Sequence, residues 1–191
     1  MQTILHTPDL RIYDDFLESP DDTRSKGLKA KFGNKVERDG EVYKRVAEQV
    51  LPEVVDALNT AMGRPIELLG MGWRLNYEKE MPNHAIHADL GWGTYASVLY
   101  LSSPADWQHS GTAFWEHHTG HDRVKQGEAS VLKDVINDWD NPLAWNQTAF
   151  VPSKFNRGII YRSELFHSRW PFTGYGTNPD DGRLIVVSFF N

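Results

Sequence analysis

Cysteine is absent from all 191 residues. That absence excludes disulfide scaffolds, zinc ribbons, iron–sulfur clusters and thiol nucleophiles, and it leaves His, Asp and Glu to hold any metal ion. Basic residues are scarce as well: 20 Lys and Arg against 26 Asp and Glu give a net charge of -6, with no basic block. A nucleic-acid partner is therefore not expected. Long apolar runs are also missing. The opening MQTILHTPDLRIYDDF has no basic run followed by an apolar stretch, so the sequence predicts neither signal peptide nor membrane span and a cytoplasmic protein. The chain has no G-x-S-x-G elbow and no G-x4-G-K-[ST] loop, which removes two common routes to hydrolase and nucleotide chemistry.

What is present describes one globular domain over residues 1–191, 40% hydrophobic and 24% charged. Aromatic residues make up 12%, with seven Trp, a composition suited to a walled β cavity. Leu10–Leu17 reads as a strand. Ser19-Pro20-Asp21-Asp22 reads as the capped start of a helix ending near Gly33. From Glu41 to Met62, Val42, Val46, Val50, Val54, Val55, Leu58 and Met62 recur with helical spacing, predicting a helix that Pro52 kinks or splits and Gly63 stops. Beyond Pro65, β-branched and aromatic runs predict strands at 66–78, 94–102, 111–117, 148–152, 157–162 and 183–190. A weak helical stripe interrupts them at 122–139. Helices leading into many short strands predict helices packed on a β-sandwich or jelly roll.

Three features carry chemistry. In His87-Ala88-Asp89 the two ligand-type side chains point the same way on an extended chain and can chelate one ion, although a surface hydrogen-bonded pair has the same spelling. His167 follows the strand-like run Arg157–Arg162, and with His87 and Asp89 it completes a facial triad of two imidazoles and one carboxylate. Arg183 heads an apolar strand, where a buried guanidinium demands an anion and an exposed one does not. In the group His117, His118 and His121, His117 and His121 have the i,i+4 spacing of a helical zinc pair, but Gly120 and the lack of an adjacent Glu argue against it and favour a loop near the substrate mouth. Trp92, Trp115, Trp170 and His84 are candidates for lining a substrate pocket, with core packing the competing role for the tryptophans. Two other classes fit the same features: a non-catalytic β-sandwich binding module, and a cupin-like enzyme, which the missing G-x5-H-x-H disfavours.

The order of motifs resembles the Fe(II)- and 2-oxoglutarate-dependent dioxygenases, in their prolyl-hydroxylase-like branch. The resemblance rests on Tyr13-Asp-Asp-Phe-Leu17, on Asn76-Tyr77 before His87-x-Asp89, and on Val98-Leu-Tyr-Leu-Ser102. It continues through Ser110–Trp115, Gly158–Ser163 with His167–Pro171, and Arg183–Phe190. It implies a double-stranded β-helix over residues 64–191, supported by a strand and helices in residues 1–63, with residues 119–150 as an insertion. It also implies Fe(II) on His87, Asp89 and His167, and 2-oxoglutarate held by Arg183 and Tyr100 with Tyr77 near its iron end. Dioxygen then drives hydroxylation of a peptidyl or small-molecule substrate, releasing succinate and CO2. Halogenating relatives have Gly or Ala in place of the carboxylate, so Asp89 points to hydroxylation. Two departures stand out: His167 and Arg183 lie sixteen residues apart, longer than usual for the branch, and Ile185 replaces a Ser that some relatives place after the Arg, a role Ser188 does not inherit.

Overall fold

Val, Ile and aromatic runs punctuated by Gly, Asn and Asp form strands, and most of the chain is of that kind. A computed structural model describes residues 1–36, 42–80, 85–102, 107–125, 127–139 and 141–191. Among these, the strands are β1 (Gln2–His6), β2 (Leu10–Asp14), β3 (Gly33–Val36), β4 (Val42–Glu48), β5 (Leu68–Asn76) and β6 (Tyr95–Tyr100). They continue as β7 (Gly111–His117), β8 (Trp145–Pro152), β9 (Gly158–Arg162), β10 (His167–Trp170) and β11 (Arg183–Phe190). The helices are α1 (Pro20–Leu28), α2 (Pro52–Met62) and α3 (Ala129–Val135).

All three expected helical stretches are shorter, the last reduced to α3. Residues 42–48 are a strand, because Val42, Tyr43 and Val46 suit a pleated surface and β4 finds partners on both sides, in β3 and β5. Pro52 starts α2 instead of kinking it, and Gly63 ends it in the left-handed region at φ 68°. Pro20 likewise opens α1, while Ser19 makes no side-chain cap bond.

The strands form two antiparallel sheets, one of eight in the order β1-β2-β9-β6-β11-β5-β4-β3 and one of three in the order β10-β7-β8. Strand alternation sorts the side chains into layers. On one face of the large sheet, Met71, Trp73, Leu75, Leu99, Ile160, Leu184, Val186 and Phe190 pack beneath Val54, Ala57, Leu58 and Ala61 of α2. On the other face, Val98, Tyr100, Ile159, Tyr161 and Ile185 meet Phe114 and Val151 of the small sheet. The outer face of the small sheet is covered in turn by Val131 and Val135 of α3, with Ile86, Trp115, Trp145 and Phe166. No helix among the described residues is long and apolar enough to cross a membrane.

Two contacts fasten the N-terminal segment to the sheet. Buried Asp14 accepts from Arg157 at 2.7 and 3.1 Å and from Lys154 at 2.8 Å. The hydrogen bond from Arg157 outweighs burial and lowers the Asp14 carboxyl below its usual 3.8. A depressed carboxylate contributes stability that is present above its unfolded value and lost as pH falls through its folded one. Asp14→Asn is therefore expected to cost about 1.5–3 kcal/mol at neutral pH. The loss shrinks below pH 3.8, as urea titrations at several pH values will show. The second contact is Gly27, where a Cβ would lie 2.6 Å from the ring of fully buried Trp73. Alanine in place of glycine inside a helix normally stabilises by about 1 kcal/mol. Here overpacking against Trp73 reverses the sign, and Gly27→Ala should destabilise by about 1–3 kcal/mol in the same denaturation experiment.

Candidate metal centre and acid pocket

Backbone pairing builds the centre. His87 and His167 sit opposite each other in an antiparallel bridge, His87 N–H donating to the His167 carbonyl at 3.0 Å and the reverse bond measuring 2.8 Å. The Asp89 amide donates to the Ser163 carbonyl at 2.8 Å, which fixes the second residue of the H-x-D pair. The two imidazole rings consequently lie 4.6 Å apart. Asp89 Oδ2 is 3.3 Å from His167 Nε2, and Asp89 Oδ1 is 3.8 Å from His87 Nε2. Ligand atoms of all three lie within 4.8 Å of one another. His167 Nδ1 donates to the Leu165 carbonyl at 2.9 Å, so a neutral His167 turns the lone pair of Nε2 toward the carboxylate.

Lone pairs facing a carboxylate repel unless a proton or a cation lies between them. The electrostatics carry that signature. Burial works against a charge on His167, but the Asp89 carboxylate prevails and raises it. Asp89 is lowered, His167 overcoming the effect of burial. His87 is pulled down to about 4, first by desolvation and then by repulsion from His167. Depth is graded, with side-chain exposures of 7% for His167, 14% for Asp89 and 35% for His87, so the cluster is closed on one side and open on the other. This donor set fits a divalent transition metal bound by nitrogen and oxygen.

Arg183 is 5% exposed, at the head of β11. Its Nη1 reaches Asn76 Oδ1 at a long 3.4 Å and its buried Nε has no hydrogen-bond partner. No ion pair joins it to another described residue. The ring of fully buried Tyr100 lies 6.0 Å from its guanidinium carbon, and the Tyr100 hydroxyl shares a 2.6 Å hydrogen bond with Thr112. Burial pushes the Tyr100 phenol up to about 12 against the pull of Arg183. Tyr161 walls the centre with its ring 4.7 Å from that of His167.

Other candidates are placed elsewhere. Tyr77 does not reach the triad: alternation turns it away from Asn76, and its ring lies beneath the Arg45 guanidinium at 4.1 Å and against the helix-side core. The loop at 173–182 closes over it, held where Asp181 accepts the amides of Thr177 and Asn178 at 2.7 and 2.8 Å. Trp115 and Trp170 face away from the interior, into the α3-side core, where Trp115 Nε1 donates to Ser168. Trp92 stands at the rim, 38% exposed, its ring 5.3 Å from Phe189. His84 lies outside the described residues. Ser188 points to the helix side, between Val186 and Phe190. His117 is saturated by Thr119 at 2.8 Å and Asp138 at 3.2 Å, with His118 rather than His121 completing its cluster. A surface hollow of about 600 Å³ contains none of the triad, and four of its charges form pairs, Arg123 with Asp9 and Arg162 with Glu164.

Sequence reading passes over Thr112, Arg74 and Tyr161. The available signal is alternation: Arg74 and Asn76 share a face of β5, Thr112 and Phe114 one of β7, and Tyr161 and Ile159 one of β9.

Solved structures share this fold. The epimerase SnoN, in complex with Fe3+, alpha ketoglutarate and nogalamycin RO, is 11% identical with a TM-score of 0.58, over 95% of this chain and 78% of that one. The non-heme alpha ketoglutarate dependent carbocyclase SnoK from nogalamycin biosynthesis is 12% identical with a TM-score of 0.57, over 96% and 79%. HygX from Streptomyces hygroscopicus, with iron bound, is 10% identical with a TM-score of 0.57, over 96% and 82%. Comparison with curated proteins finds no match. The model of a family of unknown function, DUF6445, matches residues 73–190, and the chain belongs to that family.

Proposed function

We propose that this protein is an Fe(II)- and 2-oxoglutarate-dependent oxygenase that hydroxylates an unactivated C–H bond, with residues 1–191 forming one catalytic domain around a double-stranded β-helix. The observation that carries the reading is the convergence of His87, Asp89 and His167 in the same interior as a buried Arg183 that no described carboxylate pairs. His87, Asp89 and His167 would hold the iron. When bound, iron with 2-oxoglutarate and dioxygen supplies oxidative decarboxylation to succinate and CO2 coupled to oxidation of the substrate.

The chain's own residues do the rest. The Leu165 carbonyl keeps the Nδ1 proton on His167 and orients its Nε2. Arg183 binds the far carboxylate of 2-oxoglutarate, satisfying a fork otherwise left without an anion. The Tyr100 phenol stays protonated and able to donate beside it, its direction set by Thr112. Tyr161, Phe114 and Ile185 keep water from the closed side, while the half-exposed flank of His87 and the rim at Trp92 give the substrate its approach. The order of motifs supports the prolyl-hydroxylase-like branch. The nogalamycin compound in SnoN favours a small molecule over a peptide as substrate.

Calorimetric titration with Ni(II) should give one site in the wild type and none in an Asp89→Ala, His167→Ala double variant; nickel binding that survives in the double variant removes the triad. Arg183→Leu should raise the half-saturating 2-oxoglutarate concentration at least about tenfold with metal binding unchanged. Lys should rescue it only in part, because a point charge replaces a fork matched to two oxygens. Succinate formation at ordinary 2-oxoglutarate dependence in Arg183→Leu would move the anchor elsewhere.

A further inference from the structure

Arg169 is a second guanidinium in the interior, and the co-substrate leaves it without a partner. Along β10, His167 turns inward against Phe114 and Tyr161, Ser168 turns outward to Trp115 and Trp170 turns outward to the α3-side core. Alternation therefore turns Arg169 inward, on the face of His167. Its register partner on β7 is Thr112, the residue bonded to Tyr100, whose ring lies beside Arg183. Arg74, on the same face of β5 as Asn76, brings in another guanidinium from the far side. The Arg169 Nε donates to the Phe172 carbonyl at 2.7 Å, which fixes the stem, while its buried Nη2 has no hydrogen-bond partner. No carboxylate among the described residues forms an ion pair with it.

We propose that Arg169 binds an acidic group, a carboxylate or a phosphate, of the primary substrate, so that this enzyme acts on a small acid. The inference rests on the oxygenase reading and deepens it. In the loaded pocket a divalent ion and Arg183 balance the charges of Asp89 and of the 2-oxoglutarate dianion. Both co-substrate carboxylates are then engaged, one at the metal and one at Arg183. The charges of Arg169 and Arg74 are left over; Arg74 lies over the Tyr43 ring at 4.6 Å, while the fork of Arg169, whose buried Nη2 has no partner among the described residues, is matched to an oxyanion. Its strand position is two residues from His167, roughly 6–7 Å along the chain, which puts the oxidised C–H within a few bonds of the acid.

The test uses protein loaded with Ni(II) and saturating 2-oxoglutarate, which does not turn over, titrated calorimetrically with butyrate, inorganic phosphate and the neutral butyramide. One anion should bind and butyramide should not, and which anion binds separates a carboxylic substrate from a phosphorylated one. Arg169→Gln should weaken that anion at least about tenfold, and Arg169→Lys should retain part of the affinity. In both variants 2-oxoglutarate affinity should stay within about threefold of wild type, as only the group on the substrate side has changed. The proposal is overturned if neither anion binds, if butyramide binds as well as butyrate, or if Arg169→Gln binds the anion like wild type. It is also overturned if Arg169→Gln loses 2-oxoglutarate as severely as Arg183→Leu, which would assign Arg169 to the co-substrate. Wild-type protein that takes nickel but not 2-oxoglutarate would fail the oxygenase reading instead, and the anion titration would still judge Arg169.

Discussion

Alternation along β11 divides this molecule. The strand lies between β5 and β6 near the middle of the large sheet, so both its edges are hydrogen-bonded and both its faces are covered. Leu184, Val186 and Phe190 point one way and help make the core under α2; Arg183 and Ile185 point the other and form the floor of the interior. A slip of one residue would exchange the two sets, placing a guanidinium among helix-packed leucines and valines. The large apolar burial on the helix side holds the register that keeps the charge where an anion can meet it.

The interior concentrates charges that do not satisfy one another. Asp89 stands between two imidazoles, while Arg169 and Arg183 retain buried nitrogens without partners among the described residues. Such groups weaken a fold unless something binds them, and sites of this kind are tolerated where packing elsewhere supplies the stability. Here two fully formed apolar layers flank the interior, one beneath α2 and one beneath α3. The structure is consequently polarised, with apolar outer layers and an inner layer that holds the charges.

Several features were legible from residue types alone. The limits of β7 and β11 follow from unbroken apolar and β-branched runs, and His87-x-Asp89 has a spacing that an extended chain turns to one side. Val42–Glu48 reads as helix because valines spaced by four suit an amphipathic helix as well as a strand, and only the neighbouring β3 and β5 decide between them. Trp115 and Trp170 resemble pocket walls in composition, but one position along a strand is the difference between the interior and the α3-side core. The Asn76-Tyr77 pair splits in the same way, Asn76 meeting Arg183 while Tyr77 packs beneath Arg45.

The sequence by itself determined the chemistry available: no thiol, imidazoles and carboxylates as ligands, an apolar strand headed by one arginine, and strands in place of a long helical core. These are properties of single residues and of short windows, set by local sterics and by what each side chain can donate. Tertiary structure decided which arginines share the interior between the sheets, which aromatic rings face it, and that His87 and His167, eighty residues apart, meet across one backbone bridge. Those outcomes depend on which strand pairs with which, and long-range pairing is fixed by the burial of whole faces at once, a collective quantity that no local window contains.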